Sequence, residues 1–100
     1  MKSILTTALF DNWFMNLRDR QAKARIQARI DRAELGNMGD CKTVGDGVFE
    51  MRIHYGQGYR VYFVQRGSEI IILLAGGDKS TQTGDIDKAQ ALAKQLEESR

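Results

Sequence analysis

Hydrophobic and polar residues alternate most regularly between residues 47 and 79, and this pattern predicts three antiparallel strands joined by two tight turns. In residues 48–55 every second residue is apolar: Phe49, Met51, Ile53 and Tyr55. A period of two places these side chains on one face of the strand and the intervening polar ones on the other: Glu50, Arg52 and His54. We expect the apolar face to pack against helices and the polar face to carry function.

Two glycine-containing turns set the expected register. Gly56-Gln57-Gly58 is typical of a three-residue hairpin loop, and Gly67-Ser68 of a two-residue loop. Counting outward from these loops gives the expected cross-strand pairs: His54 with Arg60, Arg52 with Tyr62, Tyr62 with Leu73, and Arg60 with Ala75. In this register Lys79 leaves the third strand beside the basic residues, after a flexible Gly76-Gly77 pair.

The third strand, residues 70–74, is apolar on both faces. In the expected register Ile72 and Leu74 join the helix-covered core, whereas Ile71 and Leu73 share the face of the arginines. That face is then charged at one end and apolar at the other. Either the last helix or a protein partner covers the apolar end.

A helical period predicts three helices around the sheet, after a short edge strand at residues 3–5. Thr6 or Thr7 caps the first helix, and Asp19 caps the second, which ends at Gly36. The apolar stripes are Phe10, Trp13, Phe14 and Leu17 in the first helix, Ala22, Ile26, Ile30 and Ala33 in the second, and Ile86, Ala89, Ala93 and Leu96 in the last. Residues 36–46 have no such period and predict a loop. The expected fold is a single α+β domain, residues 1–100, in the order β-α-α-β-β-β-α.

Composition narrows the class of protein. The chain is 42% hydrophobic and 28% charged, as in an ordinary globular domain, and no apolar run reaches the length of a membrane span. A single cysteine, Cys41, excludes an internal disulfide and fits a reducing compartment, so we expect a cytoplasmic protein. One cysteine and one histidine argue against a structural zinc site, and no cofactor is expected.

Charge is unevenly distributed. Residues 18–66 hold ten lysines and arginines against six acidic residues, whereas residues 67–100 hold four against six. A basic half suggests an anionic partner. Part of this charge forms the outer face of the second helix: Lys23, Arg25, Arg29 and Arg32. That face is either simply solvated or a contact surface for RNA or protein.

The strongest candidate site is the cationic end of the sheet. Two arginines, a histidine, a lysine and a tyrosine converge there in the expected register, as binding of a phosphate-rich ligand would require: Arg52, His54, Arg60, Lys79 and Tyr62. Lys42 in the preceding loop lies near the start of the sheet. The candidate is therefore a phosphate or RNA site.

Several motifs together resemble one known family. They are Phe10-x-x-Trp13, Ala22-Lys23-Ala24-Arg25-Ile26, Glu50-Met51-Arg52-Ile53, Gly58-Tyr59-Arg60-Val61-Tyr62-Phe63 and Gly76-Gly77-Asp78-Lys79-Ser80-x-Gln82. In this order and spacing the chain resembles the RelE/ParE superfamily of bacterial toxins, most closely its HigB-like "addiction module killer" branch. The match runs over almost the full length.

The resemblance implies a helical hairpin packed on a curved antiparallel sheet, and an operon-encoded antitoxin, usually of helix-turn-helix type. It also implies ribosome-dependent, metal-independent cleavage of mRNA. The family's basic positions match Arg52, Arg60 and Lys79 here. Several RelE proteins carry a lysine early in the second strand, where this chain has Glu50, so a lysine base does not transfer to that position.

Cleavage through the 2′-hydroxyl of RNA needs a base near that oxygen and cations around the phosphorane. Arg52, Arg60 and Lys79 suit the second task. His54 or, alternatively, Glu50 is the candidate base, although Glu50 and Arg52 could instead form a surface ion pair. RNA contacts are predicted at Lys42, Tyr62 and Gln82. Tyr62 either stacks on a base or belongs to the core under the last helix.

Two other functions remain open. ParE-like members of the superfamily inhibit DNA gyrase, and a chain that has lost toxicity could act only as a partner-binding or co-repressor module. Clustering of arginines at one sheet end favours the nuclease. For the antitoxin, the sequence predicts contacts on two surfaces: the basic helix face with Lys23, Arg25, Arg29 and Arg32, and the apolar end of the active face with Val64, Ile71 and Leu73.

Overall fold

The computed structural model describes residues 1–98 and confirms an α+β fold. Five strands form one sheet: β1 Ser3–Thr6, β2 Cys41–Gly45, β3 Val48–Ile53, β4 Tyr59–Arg66 and β5 Ile70–Gly77. Three helices flank it: α1 Ala8–Met15, α2 Arg20–Glu34 and α3 Gln82–Glu98, the last preceded by a 3₁₀ turn, Lys79–Thr81. The strand order is β1-β5-β4-β3-β2, and only the edge pair β1–β5 is parallel. None of the helices in residues 1–98 is long and apolar enough to cross a bilayer.

The helix boundaries follow local capping chemistry. The Thr7 hydroxyl accepts a hydrogen bond from the Phe10 amide, and the Asp19 carboxylate accepts two from the first turn of α2. Gly36 ends α2 with φ +98°, and the amides of Gly36 and Asn37 donate back to the last turn. Only a residue that tolerates positive φ closes a helix in this way. The predicted caps are confirmed.

The sheet separates two hydrophobic cores. α1 and α2 cover the face that carries Phe49, Met51 and Ile53, as predicted. α3 covers the opposite face through Ala89, Ala93 and the flanking apolar residues of its predicted stripe, and packs on Val48, Tyr62, Val64, Leu74 and Ala75. Of the residues expected at the apolar end of the functional face, Val64 is therefore covered by the last helix.

One predicted loop is a strand. Residues 41–45 form β2, which pairs with β3 so that Lys42 lies opposite Glu50. This strand shows no alternation of apolar residues because it lies at the edge of the sheet with most of its side chains exposed. The observed order is thus β-α-α-β-β-β-β-α, one strand more than expected.

The first hairpin register is shifted by two residues. Arg60 lies opposite Arg52, not His54, and Tyr62 lies opposite Glu50, not Arg52. The loop has five residues, 54–58, because β3 ends at Ile53. Tyr55 leaves the ladder and is held on the helical side, where the Arg25 guanidinium lies 4.7 Å from its ring centre.

The second hairpin register is shifted by one residue, which reverses the two faces. Arg66 pairs with Ile70, so the loop has three residues, and a bulge at Leu74 moves the register once more. Ile71 and Leu73 are consequently buried beneath α1 and α2. The prediction that they form an exposed antitoxin surface is wrong, and Val64 is likewise buried beneath α3.

The Gly76-Gly77 pair is not flexible. Both glycines lie in β5, opposite Val61 and Arg60. A side chain at Gly76 would overlap the ring of Trp13, and one at Gly77 would overlap the carboxylate of Asp85. These glycines allow close approach of α1 and α3 to the sheet.

Candidate nucleic-acid interface

The cationic residues lie together at one end of the sheet, next to the start of α3. Arg52 on β3 and Arg60 on β4 are direct cross-strand partners, and Lys42 on β2 lies opposite Glu50 on the same face. Lys79 begins the 3₁₀ turn that follows β5. We call this group, Lys42, Arg52, Arg60 and Lys79, the cationic face. Of the five residues predicted to converge, Arg52, Arg60 and Lys79 lie at this end of the sheet through a different register, whereas Tyr62 is buried and His54 pairs with Asp40.

Glu50 lies at the centre of the cationic face and is fully buried, with 0% of its surface exposed. Its Oε1 accepts a hydrogen bond from Arg52 Nε at 3.3 Å. Its Oε2 accepts from Gln82 Nε2 at 2.7 Å and from the Tyr62 hydroxyl at 3.4 Å, and lies 3.4 Å from Arg60 Nε. Both oxygens are therefore engaged, and the pair with Arg52 joins a fully buried carboxylate to a partly exposed guanidinium.

The two arginines differ in exposure. The Arg60 side chain is 14% exposed and that of Arg52 is 33% exposed. Arg60 Nη1 donates to the Gly58 carbonyl at 2.9 Å, and its Nε is buried without a hydrogen bond of good geometry. Within residues 1–98, neither Nη nitrogen of Arg52 nor Nη2 of Arg60 donates to a protein acceptor. These donors remain for a ligand.

Lys79 is exposed and is tied to the turn between β3 and β4. Its backbone amide donates to the Gln57 carbonyl at 3.3 Å. A side chain at Gly58 would lie within 3.5 Å of both Arg60 Nη1 and the Lys79 Cβ, so Arg60 and Lys79 flank the same glycine. The turn and the end of β5 thus place a third cation beside the arginines.

Two predicted RNA contacts point inward. Tyr62 is fully buried under α3, and burial followed by the nearby Glu50 charge raises the pKa of its phenol strongly. Its ring cannot stack on RNA, so the alternative interpretation as a core residue is the correct one. Gln82 is half-buried and directs its amide nitrogen to Glu50.

His54 lies just beyond the end of β3 and pairs with Asp40. Its side chain is 72% exposed, and Nε2 lies 2.5 Å from Asp40 Oδ2. The hydrogen bond with His54 holds the pKa of Asp40 below its usual value. His54 lines a shallow groove of about 400 Å³ beside α2, with Arg25, Ala28, Arg29, Arg32 and Ile53. The expected pairing of His54 with Arg60 is therefore wrong.

The basic face of α2 is only partly free. Arg29 donates to the backbone carbonyls of Met38, Asp40 and Arg52, and so ties α2 to the ends of β2 and β3. The Lys23 ammonium lies 5.4 Å from the ring centre of Phe14, and Arg25 stacks on Tyr55. Arg32 is exposed. Arg29 thus has a structural task that the sequence pattern did not reveal.

Sequence reasoning missed the interior of the site. The alternation in β3 correctly placed Glu50 on the face of Arg52, but it gave no sign that α3 would bury that carboxylate. Asp40 and Asp85 were not singled out, yet they contact His54 and the Thr81 hydroxyl, respectively. Among residues 1–98 no group of three or more His, Cys, Asp or Glu side chains is arranged to hold a metal ion.

Comparison with known proteins gives the family. The model of a family described as "Phage derived protein Gp49-like (DUF891)" matches residues 12–97. The chain is also 54% identical over 93 residues to an uncharacterized protein of Haemophilus influenzae, a match that covers 93% of this chain and 94% of that protein. The chain therefore belongs to the Gp49-like family, a family of RelE-like toxins of addiction modules.

Proposed function

We propose that this chain is the toxin of a type II toxin–antitoxin module and that it cleaves mRNA on the ribosome, as in the HigB-like branch. The observation that carries the proposal is the cationic face, in which two arginines are paired across adjacent strands and, within residues 1–98, both Nη nitrogens of Arg52 and Nη2 of Arg60 have no protein acceptor. Family membership supports the toxin class.

The proposed reaction is attack of an RNA 2′-hydroxyl on the adjacent phosphorus. The O2′–P bond forms as the 2′-hydroxyl loses its proton, the P–O5′ bond breaks, and the leaving O5′ takes up a proton, so the products are a 2′,3′-cyclic phosphate and a 5′-hydroxyl. Negative charge grows on the phosphorane oxygens, and guanidinium groups stabilise it through paired hydrogen bonds. Arg52 and Arg60 supply these donors, and Lys42 and Lys79 hold the flanking phosphates. No metal takes part in the proposed step.

The direct test is to induce the chain in bacterial cells and to map the 5′ ends of cellular mRNA. The proposal expects new 5′-hydroxyl ends within translated regions, which disappear when translation initiation is blocked. Inhibition of DNA supercoiling by purified gyrase, without new mRNA ends, would instead assign a gyrase inhibitor. Absence of growth arrest together with antitoxin binding would assign a non-toxic binding module.

His54→Ala is expected to leave the rate of mRNA cleavage within about one order of magnitude of the wild-type rate, whereas removal of a general base costs about 10²–10⁴-fold. The reason is geometric, because His54 is exposed and faces Asp40 and the α2 groove. Single-turnover cleavage of an mRNA on purified ribosomes measures the effect. A loss of two orders of magnitude or more would restore His54 as the base.

We also propose that an acidic segment of the cognate antitoxin binds the α2 groove. Arg25, Arg32 and His54 line the groove together with the apolar side chains of Ala28 and Ile53, and Asp40 pairs with His54. A carboxylate-bearing helix matches this arrangement, with an apolar residue on the floor and acidic residues on the rim. Binding there would leave the cationic face uncovered and would block entry into the ribosome by bulk.

The variant Arg25→Glu/Arg32→Glu is expected to slow association with the antitoxin by about 10- to 10³-fold at low salt, because steering charges act mainly on the association rate. Lys88→Glu/Lys94→Glu is the matched control, since both lysines are exposed on α3, across the sheet from the groove. Surface plasmon resonance with the product of the adjacent gene gives both rate constants. Equal effects of the two double variants on the association rate would contradict the proposal that the antitoxin binds the α2 groove.

A further inference from the structure

We infer that Glu50 is a positioning residue and not the general base: it accepts a hydrogen bond from Arg52 Nε and pairs by charge with Arg60, and so leaves free Nη groups of both arginines available to an RNA phosphate. This assignment rests on the proposed function. It also gives Gln82 a new role, because Gln82 then acts from inside the protein by fixing Glu50 and does not contact RNA.

The atoms around Glu50 leave little room for proton transfer. Oε1 is taken by Arg52, and Oε2 is shared by Gln82, Tyr62 and Arg60. A base must reach a proton of the substrate directly or through one water. A carboxylate with no exposed surface and both oxygens engaged does not reach the RNA 2′-hydroxyl.

The contacts of Glu50 are suited to orienting the two guanidinium groups. A guanidinium group has a fixed planar fork of donors, so a contact to Nε fixes the direction of the two Nη groups. Glu50 engages the Nε side of both arginines, which lie opposite each other on β3 and β4. One carboxylate therefore sets the relative position of two guanidinium groups.

Gln82 connects this arrangement to α3. It lies in the first turn of the helix, and its amide donates the shortest of the hydrogen bonds to Glu50. Tyr62, buried beneath the same helix, donates the other neutral one. Glu50 is thus fixed from β4 and α3, and the arginines are fixed through it.

For Glu50→Gln, a purely electrostatic effect and a loss of arginine positioning predict different changes in RNA binding and in the rate of cleavage. Glu50→Gln removes one negative charge beside two arginines, so an electrostatic effect would tighten RNA binding. Misplacement of the arginines would instead lower the rate of the chemical step, and an error of about 1 Å can cost about 10²-fold. We therefore expect kcat to fall by roughly one to two orders of magnitude, with KM unchanged or lower.

The experiment follows Glu50→Gln by single-turnover mRNA cleavage on ribosomes over a range of pH, and by NMR of the arginine Nε–H groups in the purified protein. If Glu50 positions the arginines, kcat falls, the shape of the pH–rate profile is unchanged, and the Arg52 Nε–H proton, which donates to Glu50, exchanges faster with water. Loss of the acidic limb of the profile would make Glu50 the base. Unchanged cleavage would also overturn the inference.

Gln82→Ala covers the case in which Glu50→Gln does not fold. It removes one donor from Glu50 without touching either arginine, and a smaller fall in kcat is expected. Gln90→Ala is the matched control, because Gln90 also lies on α3 and donates one hydrogen bond to the sheet, at the Val44 carbonyl. Equal effects of the two glutamine variants would reject the role of Gln82.

Failure of the proposed function has a different signature. If the wild-type chain cleaves no mRNA, the nuclease proposal fails, and the kinetic arm has no signal. The exchange of the Arg52 Nε–H proton still reports whether Glu50 holds that arginine. Rapid exchange of this proton in the folded wild-type protein would reject the positioning role by itself.

Discussion

Arg60→Ala is expected to lower the rate of mRNA cleavage by about 10²–10³-fold, the usual cost of removing one donor to a developing oxyanion. Arg60 is the more deeply buried of the two arginines, and the Gly58 carbonyl and Glu50 hold it in place. A buried donor needs little reorganisation when charge develops in the transition state, so its loss affects the chemical step directly. Toxicity in cells is expected to disappear with cleavage.

Arg66→Ala provides the matched control for this loss. Arg66 lies on the same strand as Arg60, at the opposite end of β4 and away from the cationic face. Its replacement is expected to leave cleavage close to the wild-type rate. Melting temperatures of both variants separate a loss of folding from a loss of chemistry. If Arg60→Ala still cleaves mRNA at a normal rate, the assignment of the cationic face fails.

A strand face is predicted correctly when the register error is an even number of residues, and it is exchanged for the other face when the error is odd. The β3–β4 pairing was wrong by two residues, which preserves the faces, so Glu50, Arg52 and Arg60 were placed on the correct side. The pairing near Ile71 and Leu73 was wrong by one residue, which exchanges the faces. An apolar strand carries no internal signal to correct such an error, because both faces look alike.

The bulge at Leu74 then restored the expected face for the end of β5. Beyond it, Arg60 lies opposite Gly77, and the chain leaves the sheet beside the arginines as the sequence predicted for Lys79. A bulge of this kind is not evident in Ile70–Leu74, because its location depends on packing against α3. The position of Lys79 could be predicted from the sequence, whereas the register of β5 and its bulge could not.

The burial of Glu50 and its contact with Gln82 could not be predicted from the sequence, because they also depend on packing between distant elements. Burial of Glu50 depends on α3, which begins at Gln82 and so covers more of the sheet than a helix starting near Asp85 would. The start is set by the 3₁₀ turn, in which the carboxylate of Asp78 accepts from the Ser80 amide and the Thr81 hydroxyl accepts from the Asp78 amide. The Ser80–Asp85 segment reads as a polar connection, but its local hydrogen bonds make it the entry to the helix.

The fit of α3 on the sheet gives the second large expected effect. Gly77→Ala should lower the free energy of unfolding by about 1–3 kcal/mol, the typical cost of inserting a methyl group into a packed site. The added Cβ would overlap the Asp85 carboxylate and approach the Thr81 hydroxyl, which donates to Asp85 at 2.5 Å. Relief of this overlap requires either that the Asp85 side chain leaves its hydrogen bond with Thr81 or that the first turn of α3 moves, and we expect such a movement to displace Gln82 and Glu50.

Cleavage by Gly77→Ala should therefore fall more than the loss of stability alone explains, even at a temperature where the variant is fully folded. Gly84→Ala is the matched control: it lies in the same helix with no atom near the added Cβ, and should raise stability by about 0.5–1 kcal/mol. Chemical denaturation and single-turnover cleavage measured on both variants test the coupling. A destabilised Gly77→Ala protein that cleaves at the wild-type rate when folded would show that the arginines do not depend on the position of α3.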